Sequence, residues 1–60
     1  MARIDIASMI GSAVPEPLRI GGYLACWYLM VDGVRRSGPF VSLDQAYDAK
    51  QRFQRQLHLH

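Results

Sequence analysis

The chain has 60 residues, half of them hydrophobic, with seven Lys/Arg against five Asp/Glu and a formal charge of +2. That is room for one domain, too apolar for a disordered chain, and too mildly basic for the dense cationic field of a dedicated nucleic-acid wrapper. Cys26 is the only cysteine, which excludes an internal disulfide and a cysteine-rich zinc site. A core this small then has oligomerisation as its remaining support.

Residues 1–22 read as an N-terminal segment with a Pro/Gly break. Ile6, Met9, Ile10, Ala13 and Val14 fall at i, i+3, i+4, i+7 and i+8. That is one helical stripe with Asp5 as a cap, and it predicts a short N-terminal helix. The alternation of Arg3-Ile4-Asp5-Ile6 is a competing strand signal, and Gly11 weakens a helix by about 1 kcal/mol relative to alanine. Pro15-Glu16-Pro17 is a stiff break, because proline disfavours the helical region for the residue before it. Gly21-Gly22 then bends the chain. No secretory pattern is expected, since Met1-Ala2-Arg3 leads into Asp5 and a broken apolar patch. The longest uncharged run, Ile20 to Val31, is too short to span a bilayer. With the unpaired thiol, this predicts a cytoplasmic protein without a membrane partner.

Residues 23–60 read as a ββα unit, and with the N-terminal helix they predict one small α+β domain over residues 1–60. Asp32-Gly33 lies between two strand-like runs, a hairpin signal because a type I′ turn needs positive φ at both central positions. The predicted hairpin is 23–31/34–41. A two-residue loop pairs Val31 with Val34, and the same register pairs Met30 with Arg35, Leu29 with Arg36, Trp27 with Gly38 and Ala25 with Phe40. Pro39 then marks an edge strand, so any third strand must join the free side of the first. One hairpin face carries Ala25, Trp27, Leu29, Val31 and Phe40; the other carries Leu24, Cys26, Tyr28, Met30, Arg35 and Ser37. The first strand is apolar on both faces, which predicts cover on both.

The last helix is predicted over 43–57. Ser42 and Gln45 form an S-x-x-Q capping box. Ala46, Ala49, Phe53 and Leu57 form the inward stripe, flanked by Tyr47 and Lys50. The helix is assigned to the Trp27–Phe40 face. The Cys26–Tyr28–Met30 face is left to the N-terminal segment or to a second molecule.

No catalytic constellation emerges. Cys26 lies mid-strand, where a small buried hydrophobe needs no further role. His58 and His60 sit at i and i+2, which do not share a helix face, and read as a frayed tail. Asp44 and Asp48 are an exposed i, i+4 pair, not an acid–base dyad. There is no phosphate-binding loop or dinucleotide fingerprint. The expectation is a non-enzyme with no catalytic residue, metal or cofactor.

The basic residues are Arg35 and Arg36 beyond the turn and Lys50, Arg52 and Arg55 on the helix. A two-stranded ribbon fits a major groove, and arginine is the preferred reader of guanine. The stretch R-R-S-G-P-F-V-S-L-D-Q-A-Y-D-A-K, Arg35 to Lys50, resembles the last strand and helix of plant ethylene-response-factor DNA-binding domains and of phage-integrase arm-site-binding domains. Gly38, Phe40, Ser42 and Ala46 carry the resemblance. It implies a three-stranded sheet that reads DNA with the helix packed behind it. Against that pattern, the first strand here is apolar on both faces.

Two functions follow. The first is a protein–protein interaction module of adaptor or inhibitor type, of the size common in phages and mobile elements. It would self-associate as a homo-oligomer and use Leu24, Tyr28 and Met30 as its interface, because an apolar surplus sits in one strand of a chain too small to hide it. The alternative is a nucleic-acid-binding ββα module using Arg35, Arg36, Lys50, Arg52 and Arg55, which a steep loss of affinity with salt would reveal.

Overall fold

Ile4–Ile10 is a strand, β1, and not the helix that its i, i+3, i+4 stripe predicts. The computed structural model describes residues 2–58, with side chains through residue 57. After β1 come a 3-10 turn (Gly11–Ala13) and a one-turn helix α1 (Glu16–Ile20). Strand β2 (Ala25–Val31), strand β3 (Val34–Phe40) and helix α2 (Leu43–His58) complete the chain. The sheet is antiparallel in the order β1-β2-β3, with α2 touching all three strands. The fold is α+β.

The strand reading of residues 4–10 prevails for a tertiary reason. β2 is apolar on both faces and so must lie inside the sheet, where each buried N–H and C=O needs a partner. Only the N-terminal segment is long enough to supply a third strand, and it does so along its whole length, from Ile4 opposite Val31 to Ile10 opposite Ala25. Helix formation there would satisfy β1 alone. The turn secures the start of this ladder. The Asp32 N–H donates to the Arg3 carbonyl, and the Arg3 N–H donates to Asp32 Oδ1, both at 2.8 Å.

The hairpin turns at Asp32 (φ 52°) and Gly33 (φ 79°), the two positive values of a type I′ turn. Val31–Val34 and Met30–Arg35 pair as the loop length requires. Beyond them the expected register fails: Leu29 lies opposite Ser37, not Arg36, and Trp27 lies opposite Phe40, not Gly38. Arg35 and Arg36 together oppose Met30, and Gly38 and Pro39 together oppose Tyr28. These are two β-bulges, which hairpin arithmetic from the turn does not anticipate. The first bulge moves Ser37 to the Leu29 face. The second accommodates Pro39, and β3 is an edge strand as its proline predicts.

α2 covers the Trp27–Leu29–Phe40 face. Ala46 is fully buried there and Leu29 nearly so. Its N-terminus is capped by Ser42, whose Oγ accepts the Gln45 N–H at 3.2 Å. Gln45 Oε1 accepts the N–H of Val41, one residue earlier than in a reciprocal box. Ser42→Ala is expected to cost about 1 kcal/mol in a denaturation titration. A change within error would show that the cap contributes nothing.

The opposite face is closed by the chain itself. Val14, Cys26 and Tyr28 form a buried cluster, with Met9, Leu18 and Met30 packed against it. The connector between β1 and β2 is therefore the cover that residues 26–30 require, and no second molecule is needed there. Within the connector, Arg19 Nε donates to the Val14 carbonyl at 3.0 Å and ties α1 to the buried Val14. Among the described residues, no helix is long and apolar enough to cross a membrane.

Candidate interaction site

The two edges of the sheet differ in chemistry. Gly11 N–H donates to the Leu24 carbonyl, and Asp32 N–H to the Arg3 carbonyl. In an antiparallel ladder bonded pairs alternate, so Arg3, Asp5, Ala7, Met9 and Gly11 direct their backbone groups to β2. Ile4, Ile6, Ser8 and Ile10 then direct theirs outward. This outer edge of β1 runs for seven residues without a proline, a bulge or a lysine. Its one charged residue, Asp5, sits near one end and is paired at 3.0 Å with Arg3, which precedes the strand. The outer edge of β3 carries both bulges, Arg35, Arg36 and Pro39, the devices that stop a sheet from adding strands. One edge is defended and the other is not.

Helix α2 lies over the middle of the sheet and reaches β1 on one flank and β3 on the other. On its β3 side, Gln45, Asp48, Arg52 and Gln56 line an open groove of about 570 Å³ together with Phe40 and Phe53. At 100° per residue, the flank opposite this groove carries Leu43, Tyr47, Lys50, Gln54 and Leu57, and it lies above β1. Leu43, Tyr47 and Leu57 are exposed although hydrophobic. Ile10, on the helix side of β1, is 72% exposed. An extended segment added to β1 would therefore find free backbone partners and an apolar shelf above them.

The residues predicted for the interface, Leu24, Tyr28 and Met30, do not share one exposed surface. Tyr28 is 4% exposed and Met30 is half-buried beneath the connector, so neither offers a free surface. Leu24 is exposed but precedes β2, and its carbonyl is taken by Gly11. The free side of β2, where any third strand must join, is taken by β1, so β2 has neither edge free. The sequence signal for the edge that is open was the Arg3–Ile6 alternation.

The basic residues are dispersed. The Arg35 guanidinium lies 3.9 Å from the centre of the Tyr28 ring on one sheet face, whereas Arg36 lies 5.8 Å from the centre of the Phe53 ring on the other. Arg52 is paired with Asp48 at 2.9 Å on the groove side of α2. Lys50 is half-buried on the β1 side, and Arg55 is exposed. Arg36 and Arg52 both lie near Phe53. The face opposite α2, which the resemblance to DNA-reading sheets would expose, is occupied by Val14 and Leu18.

Cys26 is fully buried beside Val14 and Tyr28. Among the described residues, no three His, Cys, Asp or Glu side chains gather as a metal site. His60 and the side chain of His58 lie outside the described residues. Comparison with models of known protein families, with curated proteins and with solved structures finds nothing that matches this chain.

Proposed function

We propose that this chain is a small, non-enzymatic protein–protein interaction module of the cytoplasm that takes an extended segment of another chain on the outer edge of β1. The contrast between the two sheet edges carries this reading. Natural sheets blunt their edges against unwanted pairing, and here β3 is blunted while β1 has no bulge, is uncharged over Ile6–Ile10 and lies beside the exposed apolar residues of one α2 flank. Strand addition draws affinity from the backbone ladder and specificity from the alternate side chains that meet the shelf.

Ser8→Pro tests it. The Ser8 N–H points away from β2, so proline there removes a donor that the fold does not use. Circular dichroism is expected to show a folded protein. A nuclease-treated pull-down from the native host is expected to retain a protein with the wild type and to lose it with Ser8→Pro. Capture that disappears with nuclease treatment, or that Ser8→Pro leaves intact in a folded protein, would reject the β1 edge as the binding element.

A further inference from the structure

We infer that the segment received by β1 is β1 of a second copy, paired antiparallel about a twofold axis at Ala7, so that two sheets join into one of six strands. This inference rests on the edge reading above and adds its occupant and its register.

The register follows from parity. The outward backbone groups belong to Ile4, Ile6, Ser8 and Ile10, so an isologous pair must join even-numbered residues to even-numbered residues. The register centred on Ala7 uses all four. It sets Ile4 opposite Ile10 of the partner subunit and Ile6 opposite Ser8 of the partner subunit, for about eight backbone hydrogen bonds. On the helix side, the 72%-exposed Ile10 gains an isoleucine across the junction. On the other side, Asp5 meets Met9 of the partner subunit, and no like charges face each other. Ala7 meets its own copy at a non-bonded position, where Cα atoms approach to about 4.5 Å. A small side chain suits that spacing. A register centred on Asp5 would oppose two carboxylates and leave Ser8 and Ile10 without partners.

The helices supply the second argument. Each α2 lies over β2, so the two helices stand three strand spacings apart, about 14 Å. That exceeds the 8–10 Å of directly packed helices and leaves room for one layer of side chains. The twofold runs the helices antiparallel, with Leu43 of each near Leu57 of the partner subunit and Tyr47 near Gln54 of the partner subunit. Four of the chain's exposed large hydrophobics, Ile10, Leu43, Tyr47 and Leu57, border this junction. A heterologous strand would pair with the same edge but would leave the flank of α2 without a matching helix.

Sedimentation equilibrium and cross-linking of the full chain test this together. The wild type is expected to sediment at twice its 6.8 kDa mass, and Ser8→Pro at 6.8 kDa while still folded by circular dichroism. In a Cys26→Ala background, Ala7→Cys is expected to form a disulfide-linked dimer on mild oxidation, because its Cα lies within disulfide range of its own copy. Ile10→Cys, whose neighbour across the junction is Ile4 of the partner subunit, is expected to stay unlinked. A wild type that remains monomeric at millimolar concentration, while its captured partner protein is still lost on Ser8→Pro, would overturn the second copy and spare the edge. A dimer indifferent to Ser8→Pro, without the Ala7→Cys link, would overturn both.

Discussion

Gly38→Ala is expected to remove much of the stability of this chain. Gly38 has φ of +125°, a conformation rarely adopted by L side chains. It also lies against β2 in the second bulge. A Cβ there would stand 2.7 Å from Tyr28 Cδ1 and 2.9 Å from the Trp27 carbonyl oxygen. The backbone strain costs about 1–3 kcal/mol, and overpacking against a fixed backbone oxygen adds about 1–3 kcal/mol. A domain of this size has only roughly 3–9 kcal/mol in total. With about 4–8 °C lost per kcal/mol, the melting temperature should fall by well over 10 °C. Gly22→Ala is the control: its φ is +93°, but nothing lies within 4 Å of the added Cβ. Thermal melts that place the two variants within a few degrees of each other would show that the bulge does not press on Tyr28 as described.

Tyr28→Ala is expected to cost about 3–5 kcal/mol in a urea titration, the range for removing a large buried aromatic. The ring fills the space between Val14 of the connector, Cys26 of its own strand and the Gly38 bulge, and it carries the Arg35 guanidinium on its face. Tyr28→Phe keeps the ring and should stay within about 1 kcal/mol of wild type. Tyr28→Asp should unfold the protein, because it empties the space the ring fills and puts a carboxylate in an apolar cluster. If Tyr28→Asp remains folded, the connector does not cover this face and the assignment of cover to Val14 and Leu18 fails.

Much of the C-terminal half is legible because its signals are local. A type I′ turn is specified by two residues, Asp32-Gly33. A helix start is specified by Ser42 and Gln45. The burial of Ala46, the exposure of Asp44 and the opposite-facing arginines at 35 and 36 follow from helix and strand periodicity. The edge position of β3 is written in Pro39, which a central strand does not accept. The double-sided apolar pattern of residues 23–31 also announces that this strand is covered on both faces.

What covers each face is not a local property. Residues 4–10 carry helix and strand periodicities together, and the choice falls to the strand because β2 has unpaired backbone groups that only a neighbour in the sheet can satisfy. The two bulges in β3 arise in the same way. The turn sets the register for the first two pairs. After that, packing Gly38 against Tyr28 and returning Phe40 to the Trp27 face requires two extra residues, which no count outward from the turn contains. The candidate site follows from these choices: β1 fills the free side of β2, and among the described residues no strand pairs with the outer edge of β1. Turns, caps and face periodicity depend on neighbours within a few residues and were determined by the sequence alone. Strand partnership, register beyond the turn and the identity of the free edge depend on hydrogen bonds and contacts between distant segments, and the tertiary structure decided them.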